Sequence, residues 1–204
     1  AFKMTELISL NSESATNRIV LLHGWGADAK DLLPVGKLLT EGFEERFEIV
    51  SLSAPQPHPS GFGRQWYPLY PHAWEQVPNA VLDLERRLNN LCFEQISLEK
   101  TLLLGFSQGG AMALEIAMRI RFEGVFALSS YPHPDWKPLK AMPPIFLSHG
   151  NADQVVPKEA SQASFDILRR NGIKSELYFF EGGHEIDNNL IEHYRKIIKQ
   201  KFLS

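Results

Sequence analysis

The sequence places a serine between two glycines, where a strand-like run meets a helix-like run. Residues 105–109, read as Gly-Phe-Ser-Gln-Gly, fit the pattern G-x-S-x-G. They follow the apolar run 101–104 and precede the helix-like run 111–117. A sharp strand-to-helix turn presents its serine outward and requires small neighbours, because the two backbones nearly touch. The pattern predicts a nucleophile at Ser107, although these five residues alone also fit a simple glycine turn.

Two further residues have the types and positions that would activate this serine. A serine hydroxyl becomes a strong nucleophile when a histidine removes its proton and a carboxylate orients that histidine. Asp153 directly follows the apolar run 145–149, and His184 directly follows the run 176–180. Loops at the carboxyl ends of neighbouring parallel strands meet at one edge of a sheet. We therefore predict a triad of Ser107, Asp153 and His184.

The other ionisable residues fit these two roles less well. Asp135 is the main rival acid, but it follows Pro134 within a loop, and Glu185 would point away from Ser107 if His184 faces it. Among the other histidines, His23 precedes the serine, His149 lacks a downstream acid at a strand end, and His193 lies within a predicted helix. The remaining three lie in proline-rich loops: His58, His72 and His133.

Two backbone N–H groups are candidates for stabilising a negatively charged oxygen. Gln108 opens the predicted helix after the serine, where unpaired N–H groups and the helix dipole favour negative charge. Upstream, Trp25 lies between Gly24 and Gly26 directly after the predicted strand 18–22. We predict an oxyanion hole formed by the N–H groups of Trp25 and Gln108, although a plain glycine turn also fits residues 24–26.

The chain as a whole alternates between strand-like and helix-like segments. Short leucine-rich or β-branched runs are followed by stretches with helical spacing, which predicts an α/β fold with a mainly parallel sheet flanked by helices. Pro157 is expected in the first turn of the fourth helix, and Asn171-Gly172 is expected to end it. The predicted strands are 6–10, 18–22, 47–53, 101–105, 124–128, 145–149 and 176–180, and the predicted helices are 31–39, 75–91, 108–120, 158–171 and 187–199.

Composition narrows the class of protein. The chain has 204 residues, 44% of them hydrophobic, which suits a single domain over residues 1–204. Its net charge of −3 leaves no basic excess for nucleic acid. Cys92 is the only cysteine, so we expect no disulfide, no cysteine-rich metal site and a reducing, cytoplasmic location. The start of the sequence shows no export signal, and the apolar runs are too short to span a membrane.

The proline-rich stretch 54–74 is the longest segment without a regular pattern, and it is rich in aromatic residues. Long irregular segments in compact domains usually bind ligands, and aromatic side chains are costly to leave in water. We expect Phe62, Trp66 and Tyr67, together with Trp25, to form a wall that binds an acyl group. The same exposed aromatics could instead support a homodimer, or the stretch could be an ordinary surface loop.

Taken together, these motifs resemble the acyl-protein thioesterase and carboxylesterase group, the phospholipase/carboxylesterase family of small α/β-hydrolases. The resemblance runs along nearly the whole chain. It implies an α/β-hydrolase fold without a large lid domain and without a cofactor, with Ser107, Asp153 and His184 as triad and Trp25 and Gln108 as oxyanion donors. The motifs that carry it lie at residues 22–26, 53–55, 105–113, 149–157 and 183–186.

The sequence departs from the family pattern after Ala54-Pro55. The thioesterases carry an Asn-Gly-Gly segment and a Ser-Trp-Phe-Asp run there, whereas this chain has Gly-Phe-Gly-Arg-Gln-Trp-Tyr-Pro at 61–68. Trp25 also replaces a smaller aliphatic residue. The resemblance implies hydrolysis of small esters, lysophospholipids or acyl thioesters, and these differences favour a carboxylesterase for small esters over a thioesterase for long acyl chains on proteins. A binding module that has lost catalysis, or an enzyme like dienelactone hydrolase, is a further alternative, but the latter uses a cysteine where this chain has Ser107.

Overall fold

The computed structural model describes residues 7–10, 13–91 and 96–203. Cys92, and Glu6 at the start of the first predicted strand, lie outside these ranges. No helix in the described ranges is both long enough and apolar enough to cross a membrane.

A seven-stranded sheet forms the centre of the molecule, in the order β1-β3-β2-β6-β7-β8-β9. The strand β1 pairs antiparallel with β3, and the other six strands are parallel to one another. The predicted α/β class with a mainly parallel sheet is thus confirmed. The strands of this sheet are β1 (Leu7–Leu10), β2 (Asn17–Leu22), β3 (Phe47–Leu52), β6 (Thr101–Phe106), β7 (Gly124–Leu128), β8 (Ile145–Gly150) and β9 (Ser175–Phe180), and a separate hairpin joins β4 (Gln56–Pro57) to β5 (Arg64–Gln65).

Helices cover both faces of the sheet. Successive side chains of a strand point to opposite faces, so Ile19 and Leu21 of β2 pack in one layer and Val20 and Leu22 in the other. The first layer is closed by α1 (Leu33–Leu39) and α5 (Asn188–Lys201). The second is closed by α2 (Val77–Leu91), α3 (Gln108–Ile116) and α4 (Glu159–Arg170). This two-sided burial explains why the central strands are mostly apolar.

Several predicted boundaries are wrong by a few residues. Pro157 precedes α4 rather than occupying its first turn, because the helix begins at Glu159 after an N-cap at Lys158. At the other end the prediction is confirmed: Gly172 has a φ of +71° and follows the C-cap Asn171. The third helix ends at Ile116 rather than at residue 120, and the stretch 54–74 contains the β4–β5 hairpin instead of being wholly irregular.

The side chain of Gln108, the first residue of α3, holds the aromatic stretch, residues 54–74, in place. Its Oε1 accepts a hydrogen bond from the Trp66 N–H at 2.9 Å, and its Nε2 donates to the Tyr67 carbonyl oxygen at 2.8 Å. The indole Nε1 of Trp66 donates in turn to the His23 carbonyl oxygen at 2.9 Å. All four residues are buried. The aromatic stretch is therefore held against the strand ends by paired polar groups.

A buried ion pair ties α2 to the far end of the sheet. Arg18 in β2 is fully buried, and its Nε lies 2.6 Å from Glu48 Oε2 in β3. Its Nη groups donate to the carbonyl oxygens of Leu91 and Ile96, at 3.2 and 2.9 Å. A buried guanidinium is tolerated only when its donors are paired in this way. Arg18 thus anchors the end of α2 beneath the sheet.

We predict that Arg18→Met strongly destabilises the fold. It would remove the charged partner of the buried Glu48 carboxylate, leaving it with the Ser9 hydroxyl at 3.2 Å, and would take the Arg18 donor from two carbonyl oxygens. The change should cost about 3–5 kcal/mol of unfolding free energy. Urea denaturation measures the change. The control is Arg86→Met, because Arg86 forms an exposed pair with Asp83 and such pairs contribute at most about 1 kcal/mol. Equal effects of the two substitutions would contradict this account of Arg18.

We also predict that Gln108→Met loosens the aromatic stretch. The substitution keeps the side-chain volume but leaves the Trp66 N–H and the Tyr67 carbonyl unpaired, at a cost of about 1–3 kcal/mol for each. Urea unfolding followed by tryptophan fluorescence measures it. Gln162→Met on the exposed face of α4 is the control, with an expected change below about 0.5 kcal/mol. A change below about 0.5 kcal/mol for Gln108→Met as well would show that the two side-chain hydrogen bonds of Gln108 contribute little to stability.

Candidate active site

The predicted nucleophile lies in a strained turn between β6 and α3. Ser107 has φ +54° and ψ −117°, a conformation that non-glycine residues rarely adopt. Its N–H donates to the Leu128 carbonyl oxygen of the next strand at 2.8 Å. A Cβ on Gly105 would lie 2.1 Å from the Gly109 carbonyl oxygen, and a Cβ on Gly109 would lie 2.0 Å from that of Leu22. Both positions therefore require glycine, because the backbones of β6, α3 and β2 converge there.

The structure brings the three predicted triad residues into one hydrogen-bonded line. His184 Nε2 lies 3.1 Å from Ser107 Oγ, and His184 Nδ1 lies 2.7 Å from Asp153 Oδ2. Each residue lies in the segment that directly follows a parallel strand, β6, β8 or β9. The Asp153 side chain is fully buried, whereas the His184 side chain is 19% exposed. The partly exposed imidazole thus links a buried carboxylate to the Ser107 hydroxyl.

The surroundings of Asp153 favour its ionised form. Burial alone would raise the pKa of this carboxyl, but the hydrogen bonds from His184 and from the Val156 and Val155 N–H groups outweigh burial and lower the pKa below its usual value. Both N–H groups donate to Oδ1 at 2.9 Å, which leaves Oδ2 for His184. A negative charge is therefore held next to the imidazole nitrogen that must keep its proton.

Phe106, the residue before the serine, packs against the imidazole. The ring centroids of Phe106 and His184 are 4.8 Å apart and their planes are inclined by 41°. This contact restricts the movement of the imidazole ring. The motif position between the first glycine and the serine thus helps to hold His184, a role that its sequence position alone did not indicate.

The two predicted oxyanion donors belong to segments that meet at the serine. Gln108 is the first residue of α3, and a Cβ on Gly24, next to Trp25, would lie 3.5 Å from Ser107 Cβ. Within the described part of the chain, neither the Trp25 nor the Gln108 backbone N–H donates a hydrogen bond. Two unpaired donors close to a nucleophile are what an oxyanion hole requires.

His23 fixes the loop that carries Trp25. One ring nitrogen, Nδ1, lies 2.8 Å from the Gly24 carbonyl oxygen, and the other, Nε2, accepts from the Ala54 N–H at 3.0 Å. The Gly24 oxygen can only accept, so Nδ1 carries the proton and the ring is neutral. Burial lowers the pKa of His23, which agrees with this form. Its place directly before the glycine was the only sequence signal for this role.

The structure corrects the predicted acyl-binding wall, because two of its four residues are buried. Trp66 and Tyr67 are 1% and 0% exposed, so their side chains offer no surface to an acyl group and instead support the loop from within. Phe62 is 83% exposed at the tip of the β4–β5 hairpin. Trp25 is half-buried and its indole Nε1 donates to Gln65 Oε1 at 2.8 Å. Of the predicted wall, Trp25 and Phe62 are thus the members that a substrate can reach.

Trp25 belongs to an aromatic rim that sequence reasoning did not assemble. Its ring lies edge-on to those of His58 and Tyr70, with centroid distances of 4.0 and 5.3 Å. Tyr70 is 66% exposed and contacts His72, which stacks on Trp74. The rim thus places aromatic surface next to the loop that carries Trp25.

The rival acids and the two remaining histidines lie apart from Ser107. Asp135 is exposed in the loop after β7, and Glu185 is exposed beside His184. His133 contacts Tyr67 and Glu115, and His193 stacks on Tyr178. His149 is different, because it lies next to Asp153. In the described ranges, no group of three or more histidine, cysteine or acidic side chains is arranged to hold a metal ion.

Comparison with known proteins identifies the family. The family model described as Phospholipase/Carboxylesterase matches residues 4–202. A probable carboxylesterase SOBER1-like of Arabidopsis thaliana is 24% identical over 95% of this chain and 82% of its own length. Acyl-protein thioesterase 1 of Cryptococcus neoformans is 27% identical over 76% of this chain and 74% of its own length.

Solved structures agree with this result. The crystal structure of esterase PE8 is 28% identical and superposes with a TM-score of 0.87, covering 97% of this chain and 100% of that one. The Bacillus cereus carboxylesterase shares the fold at 15% identity, with a TM-score of 0.83 over 98% of this chain and 96% of its own. The chain therefore belongs to the phospholipase/carboxylesterase family of α/β-hydrolases.

Proposed function

We propose that this protein is a serine carboxylesterase that hydrolyses small carboxylic esters through an acyl-enzyme on Ser107. The observation that carries the proposal is the unbroken line from Ser107 Oγ through the His184 ring to the Asp153 carboxylate, at 3.1 and 2.7 Å. The family to which the chain belongs and the carboxylesterase named among its relatives support the ester bond as the target.

In the first half of the reaction, Ser107 Oγ attacks the ester carbonyl carbon while His184 Nε2 removes the hydroxyl proton. The carbonyl oxygen becomes an oxyanion that accepts hydrogen bonds from the Trp25 and Gln108 N–H groups. The imidazolium is stabilised by Asp153 and then protonates the leaving alcohol as the C–O bond breaks. The acyl group remains as an ester on Ser107.

In the second half, water replaces the alcohol. His184 Nε2 removes a proton from the water as its oxygen attacks the acyl carbon, and the same oxyanion donors hold the second tetrahedral intermediate. The imidazolium returns its proton to Ser107 Oγ, which releases the carboxylic acid. Each half uses one protonation and one deprotonation of His184, so the enzyme ends in its starting form.

The surroundings of Ser107 favour small acyl groups. Trp25 directly follows Gly24, where a Cβ would lie 3.5 Å from Ser107 Cβ, and its half-buried indole is held by a hydrogen bond to Gln65. We infer that this indole narrows the space available to an acyl group on Ser107. A second candidate is hydrolysis of acyl thioesters, which the acyl-protein thioesterase 1 among the relatives supports. The leaving group is then a thiol, and the same residues act in the same steps.

We predict that Ser107→Ala abolishes ester hydrolysis. Without Oγ no acyl-enzyme forms, and kcat with p-nitrophenyl butyrate should fall on the order of 10⁴-fold or more. The control is Ser14→Ala, because Ser14 is an exposed serine on another part of the surface. Turnover by Ser107→Ala close to that of the parent would refute the proposed nucleophile. An inactive parent that no fluorophosphonate probe labels would favour a binding module.

We further predict a gradual dependence on acyl length. Apolar contacts discriminate single methylene groups by no more than about 1–3 kcal/mol, so kcat/KM should decline stepwise from acetate and butyrate to octanoate and palmitate esters. Trp25→Leu should flatten the decline by widening the site, while Leu82→Ala, an exposed leucine on α2, should not. An absolute requirement for one polar acyl group would contradict this view, and faster turnover of matched thioesters would favour the second candidate.

A further inference from the structure

A second imidazole faces the carboxylate of Asp153. His149, near the end of β8, is fully buried, and its Nε2 lies 3.2 Å from Asp153 Oδ2. The same oxygen lies 2.7 Å from His184 Nδ1. One carboxylate oxygen thus faces two histidines from different elements, one exposed toward the substrate and one enclosed behind the acid.

The contacts of His149 define where its proton lies. Nε2 is 2.7 Å from the Val156 carbonyl oxygen, which can only accept, so Nε2 carries the hydrogen. Nδ1 is 2.6 Å from Ser161 Oγ, so it accepts from that hydroxyl. Burial lowers the pKa of His149 although Asp153, an ionisable group that faces it along with His184, acts in the opposite direction. The ring is therefore neutral and presents a fixed N–H toward the gap between Val156 and Asp153.

This N–H supports the carboxylate at both of its oxygens. It donates to the Val156 carbonyl oxygen and so holds Val156, whose own N–H donates to Asp153 Oδ1 at 2.9 Å. It also lies next to Oδ2, the oxygen that must stay aligned with His184. A rotation of the carboxylate would break the contact with His184 and would also disturb Val156. The neutral state matters as well, because a charged ring behind the acid would compete with His184 for the same negative charge.

We propose that His149 is a positioning residue that fixes the rotation of the Asp153 carboxylate so that Oδ2 faces His184. This inference rests on the proposed function, in which His184 becomes positively charged when it takes the Ser107 proton. That charge is stabilised only if Oδ2 stays in line with the ring. A misplacement of about 1 Å in such an assembly can cost on the order of 100-fold in rate.

The test compares two amides that mimic opposite ends of the ring. Glutamine at this position carries its N–H where Nε2 lies, and asparagine reaches only the position of Nδ1. We expect His149→Asn to lower kcat by about 10- to 100-fold with KM unchanged, and His149→Gln to recover most of the loss. The acid limb of the pH–rate profile should move to lower pH in His149→Asn, because the imidazolium of His184 loses its aligned carboxylate.

Thermal unfolding of both variants separates positioning from stability. Equal kcat values for the two variants, or an acid limb that stays in place while only the melting temperature falls, would overturn the inference. Failure of the proposed function would look different, since the parent itself would then neither hydrolyse p-nitrophenyl esters nor be labelled at Ser107. An active parent with an unchanged His149→Asn variant would refute the role of His149 alone.

Discussion

The close approach of three backbones around Ser107 is the constraint on which the rest of the site depends. The β6–α3 turn fits only because Gly105 and Gly109 lack side chains, and a Cβ at Gly109 would meet the carbonyl oxygen of Leu22 at 2.0 Å. The same approach brings the loop after β2, with Trp25, alongside the start of α3, with Gln108. The proposed nucleophile and the proposed oxyanion donors are therefore positioned by one packing arrangement.

Charge then has to be arranged around this rigid turn. The fully buried carboxylate of Asp153 is supported by backbone N–H groups at one oxygen and by two histidines at the other. His23 and His149 are both neutral, and each orients a backbone segment through a carbonyl oxygen. Of His23, His149 and His184, only His184 is partly exposed. In the proposed mechanism it is the ring that takes up and releases a proton, and the buried polar groups hold it in place.

The aromatic residues near the site fall into a buried group and an exposed group. Trp66 and Tyr67 face inward and are clamped by the Gln108 side chain, while Trp25 and Tyr70 form the reachable rim. Gln108, the proposed oxyanion donor through its backbone N–H, thus also holds this loop through its side chain. A change in the loop can therefore alter both the shape of the site and the alignment of its donors.

Sequence predicts the parts of this site that depend on local patterns. The central strands are mostly apolar because they are buried on both faces, and Ser107, Asp153 and His184 follow strands of the sheet, so the alternation alone placed them at one edge. Inward and outward aromatics could not be told apart, because the burial of Trp66 depends on Gln108, more than 40 residues away. The roles of His149 and Arg18 were likewise not predicted, since the partners of these side chains lie in other segments of the chain.

An acyl group that passes through Ser107 can be observed by acid-quenched mass spectrometry. The parent protein is mixed with p-nitrophenyl butyrate, quenched within the first turnover and digested. We expect one butyryl group on the peptide that contains Ser107, and none in Ser107→Ala. Release of p-nitrophenol without an acylated Ser107 at any time in the first turnover would contradict this mechanism.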